Sequence, residues 1–166
     1  MIDRDALNQA DKGMRNLYLI WAFLLGSLAI YLFVGIYLKD STGIRMRETS
    51  QNEVLRWVLY LVSVVTFAMI YPLKRAIMKI VKRAEGPSNT TKNPSSGIVR
   101  YTTAVITSLA VAESIGIYGL VLYLLGGKKG DLISLFFLSA VAMVLHRPKR
   151  EELLAMMSRE AKEMGP

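Results

Sequence analysis

The feature that most constrains this chain is the alternation of long apolar blocks with charged connections. The blocks cover residues 17–38, 54–73, 101–125 and 132–147. The first carries no charge, and at about 1.5 Å per residue it covers roughly 33 Å, enough to cross a hydrocarbon core of about 30 Å. Hydrophobic residues make up 52% of the chain. Because they are concentrated in blocks, we predict membrane-spanning helices rather than a soluble domain.

The fourth block is the weakest of the four, since its apolar core is short for a span of about 20 residues. Two arrangements are open, a re-entrant segment and a full span. We favour the span, because Arg147 and Lys149 can extend to the headgroups while the bilayer thins locally. The predicted fold class is therefore all-α, an integral membrane four-helix bundle with amphipathic cytoplasmic helical extensions.

The distribution of Lys and Arg predicts how the bundle is oriented. The N-terminal arm (1–16), the connection between the second and third blocks, and the tail (148–166) with Arg147 before it hold 15 of the 21 basic residues. Positive charge accumulates on the cytoplasmic side. We therefore predict that both termini are cytoplasmic, in the inner (cytoplasmic) membrane of a prokaryote.

A basic segment follows the second block. Pro72 lacks a backbone N–H and is predicted to kink or end the second span. The next residues fit a basic amphipathic helix that binds anionic lipid headgroups. A stop-transfer cluster that simply continues the second span fits the same pattern. The predicted headgroup-binding residues are Lys74, Arg75, Lys79, Lys82 and Arg83.

The C-terminal tail is also predicted to be an amphipathic helix. Pro148 suits a first helical position, and Glu151 and Glu152 suit the first turn, where the helix dipole favours acids. The apolar face of this helix could cover the bundle itself, lipid or a protein partner. We expect it to cover the bundle, because an amphipathic helix usually buries its apolar face locally.

Glu113 lies at the centre of the third block, where an acid costs on the order of 2.5–3.5 kcal/mol. The helical periodicity places it beside a stripe of small residues that let helices approach closely. We therefore expect the bundle or a neighbouring subunit to cover the carboxyl. The stripe consists of Ser108, Ala112, Gly116 and Gly119. Hydroxyl groups that could reach Glu113 are those of Ser27, Tyr31, Tyr60, Ser63, Thr66 and Ser139.

The segment Ala112–Leu125, "AESIGIYGLVLYLL", resembles the carboxylate helix of the c subunit (proteolipid) of rotary ATP synthases. In that family an acid at mid-helix precedes an Ile-Tyr-Gly-Leu-Val run, which Ile117–Val121 matches. The resemblance implies that Glu113 is a proton- or sodium-binding carboxyl. It covers about a tenth of the chain, and the glycine-rich partner helix and Arg-Gln-Pro loop of the family are absent. The predicted ion-binding residues are Glu113, Tyr118 and Ser108.

Other site chemistries have little support in the sequence. The chain has no cysteine and one histidine, which argues against a metal site, and no cofactor loop is visible. No nucleophile–base pair indicates an enzyme, and no basic stretch with interleaved aromatics indicates a nucleic-acid partner. The leading hypothesis is a homo-oligomer whose Glu113 binds protons or cations for translocation. The alternatives are a scaffold protein with a protonated packing glutamate, which binds lipid or a partner, and a small transporter.

Overall fold

The computed structural model describes residues 4–42, 50–84, 95–125 and 128–163. Within these ranges the chain forms five α-helices and no strand. The all-α prediction is confirmed. The helices are α1 (Arg4–Thr42), α2 (Ser50–Ala84), α3 (Ser95–Leu124), α4 (Lys129–Leu145) and α5 (Arg150–Glu163).

Three of the helices are long and apolar enough to cross a membrane. Their candidate spans are Ala10–Leu38, Glu53–Ile80 and Gly97–Leu124. In α3, 44% of the residues of the apolar segment are buried inside the bundle, whereas the share is 11% in α1 and 11% in α2. α3 is therefore the central helix, and α1, α2 and α4 pack around it. The exposed apolar faces of α1 and α2 are consistent with contact with lipid.

The fourth predicted span is divided between two helices. α4 has 17 residues, which at about 1.5 Å per residue is less than a typical hydrocarbon core. α4 and α5 together could form a fourth span, but the chain bends by 42° between them. The structure thus has three candidate spans, or up to four if the bent pair is counted as one.

Two predicted boundaries differ from the structure. α2 continues through Pro72 without interruption, so the predicted end of the helix at this residue is wrong. Neighbouring helices can compensate for the backbone hydrogen bond that a proline removes in a membrane helix. The basic segment is therefore the continuation of α2, as the stop-transfer reading proposed. From Arg4 onward, the predicted N-terminal arm is the first part of α1.

The apolar face of α5 docks on the bundle, as expected for the tail. Leu153 and Met157 are buried in the same apolar core as Met14 of α1 and Tyr101 of α3. The connection before α5 is fixed by Tyr101 of α3, whose hydroxyl donates to the carbonyl oxygen of Lys149 and accepts from its N–H. Arg150 adds an exposed ion pair with Asp11, 2.9 Å long.

Candidate functional site

The Glu113 carboxyl of α3 lies against two hydroxyl groups of α1. Oε1 of Glu113 is 2.5 Å from the Ser27 hydroxyl and 2.9 Å from the Tyr31 hydroxyl. Ser27 and Tyr31 are four residues apart, which places them on one face of α1. Glu113 itself is half-buried. Of the six hydroxyl groups predicted to reach it, these two from the first span do so.

The Ser27 hydroxyl has two neighbours that compete for its single proton. Its oxygen is 2.7 Å from the carbonyl oxygen of Leu24 and 2.5 Å from Oε1 of Glu113. A hydroxyl has one donor, so it can donate to only one of them. If Ser27 donates to Leu24, its short contact with Glu113 is a hydrogen bond only when the acid is protonated and donates. An ionised acid would instead draw the Ser27 proton toward itself.

The backbone around Glu113 is closely packed on two sides. A Cβ atom at Gly116 would collide with Cδ2 of Leu28 from α1, and one at Gly119 would lie 2.9 Å from Cβ of Leu135 from α4. The Ser139 hydroxyl of α4 donates to the carbonyl oxygen of Ala112 at 2.6 Å. The predicted packing residues therefore lie where α3 meets both α1 and α4.

The other two predicted ion-binding residues are not joined to the carboxyl. Ser108 is fully buried, and its hydroxyl donates to the carbonyl oxygen of Ala104 one turn earlier in α3. Tyr118 is half-buried. Among the residues that the structure describes, the hydrogen-bond partners of Glu113 are Ser27 and Tyr31. The site is thus shared between α3 and α1, rather than formed within α3.

A second acid, Asp131 at the start of α4, forms a cluster that the sequence analysis missed. Its Oδ1 accepts from Arg56 of α2, with Nη2 at 2.8 Å and Nε at 3.0 Å, and from the Tyr60 hydroxyl at 2.9 Å. Its Oδ2 accepts from the backbone N–H of Lys128. The side chain of Asp131 is 3% exposed and that of Arg56 is 40% exposed. This cluster fastens α4 to α2.

The sequence contained a signal for this cluster. The second and fourth predicted spans both start on the same side of the membrane. Arg56 and Asp131 therefore stand at the same border with opposite charges. Asp131 also caps the start of α4, because its Oδ2 accepts from the backbone N–H of Lys128.

The predicted headgroup-binding residues have three different environments at the opposite end of α2. Lys74 is 2.6 Å from Glu152 of α5, and its side chain is only 12% exposed. The guanidinium of Arg75 lies 4.6 Å above the centre of the Tyr71 ring. Lys79 is exposed. The side chains of Lys82 and Arg83 lie outside the described part of the structure.

The described residues contain no group of three His, Asp or Glu side chains that could hold a metal ion. Comparison with protein-family models, with curated proteins and with solved structures finds no match for this chain. The resemblance to the rotary c subunit therefore stays a prediction. The arguments for function depend on the two acid clusters and on the basic end of α2.

Proposed function

We propose that this chain is a membrane protein whose Glu113 binds and releases a proton within the bilayer, and that a homo-oligomer of it supports proton translocation. One observation carries the proposal, the position of the Ser27 hydroxyl between Glu113 and Leu24. With a protonated acid, Glu113 donates to Ser27 and Ser27 donates to Leu24. With an ionised acid, the Ser27 hydroxyl turns and donates to Glu113.

Tyr31 supports both states, because its hydroxyl donates to Oε1 whether or not the acid carries a proton. Proton binding then requires the rotation of one hydroxyl and no movement of the backbone. A calcium-sized cation binds each oxygen ligand at about 2.3–2.6 Å. It would therefore hold Oε1 of Glu113 farther from the Ser27 and Tyr31 hydroxyl oxygens than the observed 2.5 Å and 2.9 Å. A cation of sodium's similar size faces the same constraint. Between the two ions that were predicted, the geometry thus favours the proton.

Oligomer formation is proposed because the chain alone leaves Glu113 half-buried and its outer helices apolar. A charged or polar group in the hydrocarbon region is expected to face protein or a water-filled cavity. A second copy packed beside α1 and α3 would complete the cover of the carboxyl. Cross-linking in native membranes, followed by measurement of the mass of the products, tests this part of the proposal. Recovery of the monomer mass alone would contradict it.

Proton flux into reconstituted vesicles tests the proposal directly. We expect an imposed proton gradient to collapse in vesicles with the wild-type protein and to persist with Glu113→Gln. Ser63→Ala is the matched control, because Ser63 is a buried hydroxyl in α2 that donates only within its own helix. It should keep the wild-type flux. A wild-type flux no greater than that of Glu113→Gln would contradict translocation.

A second candidate function, a scaffold whose protonated Glu113 locks helix packing, is favoured by one observation. The carboxyl lies one helical turn from Gly116, where a Cβ atom would collide with Cδ2 of Leu28 from α1. Labelling with an apolar carbodiimide, which reacts with protonated carboxyl groups, separates the candidates. An exchanging site should lose reactivity at high pH, where the acid has released its proton. A locked packing acid should react uniformly at all accessible pH values.

A further inference from the structure

A pocket at the basic end of α2 opens between α2, α3 and α5. Its volume is about 260 Å³, slightly below the roughly 300–1,000 Å³ of sites for drug-sized ligands. Its base is the buried Tyr101 ring, and basic, acidic and apolar side chains surround the opening. The lining residues are Tyr71, Lys74, Arg75, Met78, Tyr101, Glu152, Ala155 and Met156.

Arg75 gives the pocket a positioned anion-binding group. The Tyr71 hydroxyl accepts from its Nη2 at 2.6 Å, and the Tyr71 ring lies under the guanidinium. A guanidinium has five N–H donors arranged in a planar fork that matches phosphate oxygens. Among the described residues, no carboxylate is paired with Arg75. The orientation of the fork is thus fixed by an aromatic neighbour.

Lys74 adds a second cation whose charge is balanced by Glu152. Its Nζ is 2.6 Å from Oε2 of Glu152 and 5.6 Å from the centre of the Tyr101 ring. An ammonium group has three donors, so the pair with Glu152 leaves donors for another acceptor. Together Lys74, Arg75 and Glu152 leave one positive charge in excess. That balance suits a ligand with a single negative charge.

We propose that this pocket binds the phosphate of an anionic phospholipid headgroup, with Arg75 and Lys74 as its donors. The phosphate of a lipid is favoured over free phosphate because α2 continues from the pocket as an apolar surface. Leu61, Val64 and Tyr71 are exposed on one face of this helix, which runs toward the middle of the candidate span. An acyl chain can follow this face while the headgroup occupies the pocket. The proposal depends on membrane insertion and not on Glu113.

Native mass spectrometry of the full chain, released from detergent micelles with added lipid, tests the proposal. Phosphatidylglycerol should stay bound more strongly than phosphatidylcholine, whose headgroup carries no net charge. Arg75→Gln should weaken phosphatidylglycerol binding about tenfold, as the loss of charge-assisted hydrogen bonds predicts. Lys12→Gln is the matched control, since Lys12 is an exposed basic residue of α1 outside the pocket. It should change binding by less than about twofold.

Glu152→Gln gives a result in the opposite direction. It removes the acid that competes for Lys74, so phosphatidylglycerol should bind more tightly, whereas mere damage to α5 docking would weaken it. Three outcomes would overturn the proposal. These are equal losses for Arg75→Gln and Lys12→Gln, weaker binding in Glu152→Gln, and full displacement of the lipid by excess inorganic phosphate, which would assign the site to the free ion.

Discussion

Glu113 and Asp131 are both acids inside an apolar bundle, but their partners differ in kind. Asp131, at the start of α4, accepts from a guanidinium, a phenol and a backbone N–H. Glu113, near the middle of α3, has two hydroxyl groups and no cation among the described residues. The first arrangement stabilises a charge, and the second accommodates a neutral acid. Position along the helices explains the difference, since Arg56 lies near the start of α2 with a 40% exposed side chain, whereas Glu113 lies near the middle of α3.

The two acids also differ in the roles that we propose for them, helix attachment for Asp131 and proton exchange for Glu113. Asp131 accepts from donors of α2 and from the backbone at the start of α4, so losing its charge would weaken the attachment of α4 to α2. Under the proposed function, Glu113 gains or loses a proton when the Ser27 hydroxyl rotates. We therefore propose that Asp131 has a structural role and that Glu113 is the exchangeable site. The predictions below test this division, beginning with Asp131.

Arg56→Gln is expected to have the largest effect, because it leaves the nearly buried Asp131 without its cation. Breaking a fully buried ion pair costs about 3–5 kcal/mol. Water screens the 40% exposed Arg56 side chain, so we expect a loss of about 1–2 kcal/mol in the free energy of unfolding. Unfolding in mixed detergent measures it. Lys129→Gln, an exposed basic residue at the same border, is the control and should change stability little.

A repair variant sharpens this prediction. Asp131→Asn combined with Arg56→Gln should recover part of the stability that Arg56→Gln loses, since an amide needs no cation. If the double variant is as unstable as the sum of the two single variants, the residues are not coupled. The structural role proposed for Asp131 would then be wrong.

Glu113→Ala is expected to have an intermediate effect. It removes the hydrogen bonds between α1 and α3, and such bonds between membrane helices average about 0.6 kcal/mol and reach about 1.7 kcal/mol. Glu113→Gln should cost less than Glu113→Ala, because its amide oxygen, in the place of Oε1, can accept from both the Ser27 and the Tyr31 hydroxyl groups. A loss for Glu113→Gln as large as that for Glu113→Ala would show that these hydrogen bonds do not stabilise the contact between α1 and α3.

Tyr31→Phe should have the smallest effect on stability, about 0.6 kcal/mol, since it removes one interhelical hydrogen bond and retains the ring. Its value lies in the accessibility of the carboxyl. The Tyr31 hydroxyl is one of two groups that contact Oε1 of Glu113, so Tyr31→Phe should speed the carbodiimide labelling of Glu113. An unchanged labelling rate would remove Tyr31 from the site.

The helical fold was predictable because hydropathy and helix length are local properties of the chain. The α1, α2 and α3 spans follow from apolar runs long enough for a bilayer. Hydropathy does not determine how each helix is rotated or which helices are neighbours. For this reason Ser27 and Tyr31 could be named only among six candidate hydroxyl groups. Arg56 and Asp131 are far apart in the sequence, and their pairing depends on the contact between α2 and α4.

Pro72 shows the opposite limit, where a local rule predicted a kink or an end and the helix does not end. Proline disrupts helices because its missing N–H and its ring disturb the preceding turn. α2 nevertheless continues to Ala84. The exposed position of Pro72 on the helix shows that its ring faces away from the bundle core, where it does not obstruct packing against α3. The proline rule predicted a kink or an end at Pro72, and the structure was needed to show that the helix does not end there.

Infrared spectroscopy of the protein in lipid tests the central claim most directly. At neutral pH, exposed carboxyl groups are ionised, so a C=O stretch of a protonated carboxylic acid should come from a group held neutral by its surroundings. The account predicts that this band is present in the wild type and in Asp131→Asn and is absent in Glu113→Gln. A band that disappears in Asp131→Asn, or a wild-type spectrum without the band, would contradict the assignment of the exchangeable proton to Glu113.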